Sequence, residues 1–306
     1  MSHSSLHEDS SQPRSQRSYL KRGVCTAAML CVCQFLGSGC STTSEELTAV
    51  SQNAVKTDYT KTSDVVYAPP EWPVALKADL YRPTGAGPWP AVVLIYGGNW
   101  DSKDHRWWMT LLARKLAKRG FVVLNVAYRG TPKFKYPAPV DDLRQALRWL
   151  RARAPELRLS PDRIAAYGFS AGGHLASLLG TLPAPPEERV QAVVAFSAPS
   201  DLTLFTGGEI LPRFLGATFS EKPELFRDAS PLTYVTADDP PFFLYHGTAD
   251  TTVDPEHSRR FQAALERAGV PNDLLWVEGK GHAAMLFRAG AAEDAAVAFL
   301  DRTLRP

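Results

Sequence analysis

The five residues GFSAG, Gly168 to Gly172, set a serine among small neighbours in the pattern G-x-S-x-G. A serine hydroxyl is too weakly acidic to attack a carbonyl unaided. It needs a base to take its proton and an acid to fix the tautomer of that base. The surroundings suit Ser170 to this use: RIAAYG before it reads as a strand, and AGGHLASLLG after it reads as a helix. A sharp strand-to-helix turn strains the backbone at the serine and requires small residues nearby, as Gly168, Ala171, Gly172 and Gly173 are. The competing role is an ordinary helix N-cap.

Of the seven histidines, His282 in EGKGHA is the one beyond the last predicted strand, where the chain order serine, acid, histidine places the base. His174, one helical turn after Ser170, and His246, at a strand end, read as packed structural residues. His105 and His257 read as surface or loop positions. Two acids compete, both at the carboxyl ends of predicted parallel strands, where catalytic side chains collect. Asp250 in HGTADTTV follows the strand FFLYH in a turn-rich segment and directly precedes a helix. Asp201 in SAPSDL resembles a helix or cap N-terminus, so Asp250 is preferred. Asp238, Asp239 and Asp254 read as turn or capping residues.

A tetrahedral intermediate carries a negative oxygen, and losing one preorganised donor to it typically costs about 10²- to 10³-fold in kcat. The Ala171 backbone N–H, just after the serine, is one expected donor. The second should come from the loop after AVVLIY, where YGGNW brings two glycines that allow close backbone approach. Gly98 or Asn99 would donate there. Trp100, Trp107 and Trp108 could stack on a sugar or an aromatic acid, or pack in the core. The long interval Asp201 to Thr233 scatters Phe205, Leu211, Phe214, Leu215, Phe219 and Phe226. It reads either as a small cap shaping an acyl pocket, with Trp100, Phe205 and Phe214 as substrate contacts, or as a helix packed on the sheet edge.

Elements able to hold these groups alternate along the chain from Ser63 onward. AVVLIY, FVVLNVAY, RIAAYG, VQAVVAFS, PFFLYHG and DLLWVEG are nearly continuous apolar runs, as expected of strands covered on both faces. WWMTLLARKLAKRG and VDDLRQALRWLRARA repeat apolar residues at helical spacing. The alternation predicts one α/β domain over residues 63–306, a doubly wound, mostly parallel sheet flanked by helices. Val65 to Tyr81 should add antiparallel edge strands. No internal repeat is visible.

The chain of 306 residues is 44% hydrophobic and 22% charged, enough for a sizeable core. Its net charge of +2 is that of the segment before Cys40, where Arg14, Arg17, Lys21 and Arg22 face Glu8 and Asp9. The remainder is near neutral, which argues against a nucleic-acid partner. All four cysteines, Cys25, Cys31, Cys33 and Cys40, also fall in this segment, leaving none to staple or metallate the body. Residues 1–39 read as a signal peptide, a basic cluster followed by an apolar run that ends in LGSGC. The small residues before Cys40 resemble a lipoprotein cleavage site, with Leu36 one position early. SQRSYLK resembles a twin-arginine signal in which Gln16 replaces the first arginine. Residues 40–62 then form a polar tether. The expectation is an exported protein, periplasmic or at the cell surface, anchored to a membrane through a lipid on Cys40.

From about Ser63 to the C-terminus the chain resembles the α/β-hydrolases. GFSAGGHLA, YPAPVDDLRQALRWLR, ADDPPFFLYHGTADTTV and GKGHA together resemble the feruloyl-esterase-like and acetyl-esterase-like carboxylesterases. The resemblance implies a triad of Ser170, Asp250 and His282 and a small-molecule ester with a short acyl group as substrate. The sequence has no metal constellation and no phosphate-binding loop, so no cofactor is expected. Tyr96 departs from it, because such esterases usually carry His-Gly-Gly there. A tyrosine before Gly-Gly is similar to the oxyanion loop of prolyl oligopeptidases, whose tyrosine hydroxyl donates to the oxyanion. Tyr96 therefore has two readings, a phenolic donor or a filler beneath the loop. The same loop suggests a serine peptidase or amidase as the alternative activity, although oligopeptidases of that type usually carry a propeller for which this chain has no room. A third reading is a non-catalytic binding scaffold.

Overall fold

A computed structural model describes residues 55–205 and 207–305. The expected signal peptide, lipidation at Cys40 and most of the tether lie outside these residues. The fold is built on an eight-stranded sheet. In chain order its elements are β1 (Tyr59–Val66), β2 (Lys77–Pro83), β3 (Trp89–Ile95), α1 (Thr110–Lys118), β4 (Val122–Val126), α2 (Ala138–Ala152), α3 (Ala154–Leu157), β5 (Leu159–Phe169), α4 (Ala171–Thr181), β6 (Ala192–Phe196), α5 (Ile210–Leu215), α6 (Pro223–Asp228), β7 (Phe242–Gly247), α7 (Glu256–Ala268), β8 (Asn272–Val277), α8 (His282–Arg288) and α9 (Ala291–Leu304).

The strand order is β1-β2-β4-β3-β5-β6-β7-β8. β1 and β2 are antiparallel, β2 joins β4 antiparallel, and β4, β3, β5, β6, β7 and β8 run parallel. Valines, isoleucines and aromatics fill β3, β4, β6 and β7, and nearly every residue of these strands is buried. Such strands need helices on both faces, and the helical segments supply apolar stripes to cover them. In α1 the buried stripe is Leu112, Ala113, Leu116 and Ala117, and in α2 it includes Val140, Leu143, Ala146, Leu147 and Leu150. The stretch Tyr59 to Thr62, expected as tether, pairs with Pro83 to Leu80 of β2. β1 is an exposed edge strand with polar residues along most of its length, so its composition resembles that of a linker.

Chain progression runs outward from β3 to β4 on one side and from β5 to β8 on the other, so the winding reverses between β3 and β5. The loops leaving the carboxyl ends of these neighbours diverge and open a crevice, the place where open α/β sheets bind ligands. The loop after β3 is YGGNW, and the turn after β5 holds Ser170. Residues 201–234 supply two short 3₁₀ turns with α5 and α6 between them. Leu211, Phe214, Leu215 and Phe226 are buried, so the segment packs as core while α5 reaches over the crevice.

Candidate active site

Ser170 sits at φ 53°, ψ −122°, between the last residue of β5 and the first of α4. A non-glycine residue in that region is strained, and the tight packing around the turn holds it there. A Cβ on Gly168 would lie 2.1 Å from the Gly172 carbonyl oxygen, and one on Gly172 would lie 2.3 Å from that of Ile95. These two glycines are therefore spatial requirements of the turn. The Ser170 hydroxyl emerges at the crevice floor with 8% of the residue exposed.

His282 begins α8, and its Nε2 is 2.9 Å from Ser170 Oγ. Its Nδ1–H donates to Asp250 Oδ2 at 2.7 Å. The other carboxylate oxygen, Oδ1, accepts from the backbone N–H groups of Thr252 and Val253, both at 2.9 Å. Burial opposes the charge on Asp250, but hydrogen bonds from His246, His282 and the Val253 N–H outweigh it, so its pKa lies well below the usual carboxylate range. The loops carrying acid and base are tied together. Ala249 N–H donates to the Lys280 carbonyl at 3.0 Å, and Gly279 N–H to the Thr248 hydroxyl at 2.9 Å. Phe169 packs against the His282 ring at 4.9 Å between centroids.

The three groups singled out in the sequence thus form one hydrogen-bonded chain. Asp201, the rival acid, caps the 3₁₀ turn that follows it by accepting from Thr203 N–H at 3.1 Å, and it pairs with Arg260 at 3.0 Å. Among the described residues, no group of three or more His, Cys, Asp or Glu side chains is placed to hold a metal ion.

The loop after β3 runs directly beneath the serine. A Cβ on Gly97 would meet Ser170 Cβ and Phe169 at 3.0 Å. Gly98, Asn99 and Trp100 all have positive φ, of 119°, 55° and 53°. The latter two each store on the order of 1 kcal/mol of strain. Hydrogen bonds pin the loop against that strain, from Asp101 N–H to Gly98 O at 3.0 Å and from Thr131 N–H to Trp100 O at 2.8 Å. Ala171 opens α4, so its N–H has no acceptor within the helix and is available to a ligand oxygen. Asn99 lines the same cavity as Ser170 and Ala171.

Tyr96 does not point into that cavity. Its ring is buried, stacked on Tyr128 at 4.7 Å and edge-on to His105 at 5.7 Å, and burial raises its phenol pKa. The ring fills space under the loop, away from the residues that line the cavity. Tyr96→Phe is accordingly expected to change kcat by less than about threefold, far below the loss of an oxyanion donor. Steady-state kinetics on a chromogenic ester checks it, and a hundredfold loss would restore the phenol to the oxyanion site.

A cavity of about 140 Å³ opens beside Ser170, walled by Trp100, Phe205, Leu211 and Val253, with Glu209 and Ile210 from the cap side. Trp100 is fixed. Its Nε1–H donates to His174 Nδ1 at 3.1 Å, and its ring stacks on Phe214 at 4.6 Å. Phe214, expected to touch substrate, lies behind Trp100, fully buried and outside the cavity lining. Phe205 does line the cavity and stacks on His257 at 4.8 Å.

His257 is buried, not at the surface as its sequence position suggested. Its Nδ1 accepts from the N–H groups of Ser200 and Asp201 at 3.3 and 3.4 Å. His174 is buried too and donates from Nε2 to the Ala229 carbonyl at 2.7 Å. Burial holds the pKa of each at about 4, below the ordinary 6.5. In the unfolded chain both would take a proton below about pH 6.5. Their contribution to stability is therefore complete above that pH and is lost as pH falls toward 4. The unfolding free energy should drop by on the order of 4 kcal/mol between pH 7 and pH 4.5 from this pair alone. Urea unfolding at the two pH values measures it, and equal midpoints would mean that the rings are protonated in the folded state.

The strand order and the crossover helices define an α/β-hydrolase. Within that class, the chain belongs to the BD-FAE family, whose sequence pattern matches residues 78–265. It is 33% identical over 230 residues to the probable carboxylic ester hydrolase LipM of Mycobacterium tuberculosis, an alignment covering 69% of this chain and 53% of LipM. The chain thus spans about half the length of that relative. A truncated carbohydrate esterase from gut microbiota has the same fold at a TM-score of 0.73 and 23% identity, covering 83% of this chain and 99% of that one. A thermophilic esterase from Thermogutta terrifontis, solved with butyrate bound, superposes with a TM-score of 0.67 at 27% identity, covering 82% of this chain and 96% of that one.

Proposed function

We propose that the chain is a serine carboxylesterase that cleaves small-molecule esters with short acyl groups through an acyl-enzyme. The observation that carries this reading is the Ser170–His282–Asp250 chain, at 2.9 and 2.7 Å, opening on a cavity of about 140 Å³. Ser170 Oγ attacks the ester carbonyl carbon as its proton passes to His282 Nε2. Asp250 keeps the His282 proton on Nδ1 and balances the imidazolium. The developing oxyanion is met by the Ala171 N–H and a backbone N–H of Gly98 or Asn99. The C–O bond to the alcohol then breaks as His282 returns the proton to the leaving oxygen. Water, deprotonated by His282, next attacks the acyl carbon; the bond to Ser170 Oγ breaks as His282 returns the proton to that oxygen, and the carboxylic acid departs.

The cavity supports a short acyl chain. Drug-sized ligands need about 300 Å³ or more, whereas a cavity near 150 Å³ holds a benzene-sized guest. The butyrate-bound Thermogutta relative is consistent with such a size. The peptidase alternative rested on a phenolic oxyanion donor, and Tyr96 packs elsewhere. For p-nitrophenyl acetate, butyrate and octanoate, kcat/KM is expected to fall at least about tenfold from butyrate to octanoate. Equal rates on all three would remove the short-acyl assignment, and no hydrolysis of any ester would remove the esterase assignment.

A further inference from the structure

His246 is fully buried at the end of β7, and the steps above do not use it. Its partners fix its tautomer. Nε2 lies 3.0 Å from the Val253 carbonyl oxygen, which can only accept, so Nε2 carries the proton. Nδ1 then accepts from the Ser258 hydroxyl of α7 at 2.7 Å. The same Nε2–H faces Asp250 Oδ2 at 3.3 Å, and Oδ2 is the oxygen that takes the His282 bond. Two imidazole N–H groups therefore converge on one carboxylate oxygen, and two backbone N–H groups converge on the other.

We propose that His246, held in one tautomer by the Val253 carbonyl, is a positioning residue that clamps the Asp250 oxygen used by His282 and draws off part of its negative charge. The inference rests on the esterase reading. Both roles follow from the shared oxygen. Without the second imidazole, Oδ2 keeps its charge for His282 alone, which makes His282 more basic. The carboxylate is also held by fewer bonds, so the approach of His282 to Ser170 is less well set. Other ionisable groups face the cluster from each packed element. On α7, His257 turns its Nδ1 to the Ser200 and Asp201 N–H groups, Arg260 pairs with Asp201, and Arg259 lies over the Trp276 ring of β8 at 4.9 Å. In the loop, Asp254 caps the Glu256 N–H. Glu209 lines the cavity from the cap side. Among the described ionisable side chains, only His246 and His282 reach Asp250.

The test is the pH profile of kcat/KM on p-nitrophenyl butyrate for the wild-type chain, His246→Leu, His246→Gln and Ser258→Ala. Rates are normalised to active sites titrated with an organophosphate that reacts with Ser170. His246→Leu should move the acid limb up by about half a unit to one unit and lower kcat roughly tenfold. Ser258→Ala removes the bond to Nδ1 but leaves the Val253 carbonyl to keep the proton on Nε2, so its limb should stay with the wild type. His246→Gln, whose amide N–H can still reach Oδ2, should restore part of the shift. A purely structural His246 would lower the titratable fraction and leave the limb in place. Limbs that overlay the wild type in every folded His246 variant would overturn the inference while leaving the esterase reading intact. A wild-type chain that hydrolyses no ester would overturn that reading and this inference with it.

Discussion

Ser170→Ala is expected to lower kcat on p-nitrophenyl butyrate by about 10⁶-fold, the loss typical when a triad nucleophile is removed. The variant keeps His282, Asp250 and the Ala171 N–H in place, so a residual rate of about 10³ to 10⁴ over water should survive through the oxyanion donors and binding. The fold should be unaffected. Alanine meets the same strain at φ 53° as serine does, and His282, partly open to the crevice, can take a water in place of the lost hydroxyl. Steady-state rates beside a thermal melt separate the two effects. A variant within tenfold of the wild type, with an unchanged melt, would show that another group forms the covalent bond.

Asp250→Asn is the second large effect, a loss of about 10⁴-fold in kcat with little change in KM. Both oxygens of Asp250 face donors, Oδ1 accepting from two backbone N–H groups and Oδ2 from His282, with the His246 N–H 3.3 Å away. An amide NH₂ must point toward one of these pairs. The backbone pair cannot yield its protons, so the NH₂ turns to the imidazoles, which can change tautomer. His282 then carries its proton on Nε2, aimed at Ser170, and can no longer accept the serine proton. Kinetics at pH 7 and pH 9 tests this, because a tautomer block persists at high pH. Recovery to within tenfold of the wild type at pH 9 would mean that Asp250 acts only by raising the basicity of His282.

The hydrogen-bonded chain of Ser170, His282 and Asp250 was legible because each member is bound to a backbone feature that composition reveals. Ser170 sits among glycines whose absent Cβ atoms are a spatial necessity, and Asp250 and His282 follow recognisable strand ends. The parallel strands were legible as well, since burial on both faces writes itself as continuous apolar runs. What the sequence left open depends on where a side chain turns after the fold closes. Tyr96 heads the loop after β3 in the sequence, yet its ring goes beneath that loop to Tyr128. His246 and Asp250 are four residues apart, but nothing in HGTAD tells that the ring faces the acid. His257 lies on a helix of mixed polarity, and its burial follows from Phe205 and Ser200, more than fifty positions away in the chain. The edge strand β1 was hidden for the opposite reason, since a strand with little to bury has the composition of a linker.

The fixing of Trp100 decides how this site can be altered. One wall of the cavity is clamped to the body of the protein, by a hydrogen bond to buried His174 and by stacking on Phe214. The facing wall is the start of α5, where Ile210 is 47% exposed and the two glycines before Glu209 have open space around them. The site is thus a vice with one fixed jaw and one adjustable jaw. Carving into Trp100 would strand the His174 ring nitrogen that it satisfies, so the cost of a larger pocket on that side falls on folding. Trimming or swapping residues 207–210 leaves both the clamp and the buried Leu211 untouched, and a change in the size of the cavity is cheapest to obtain there.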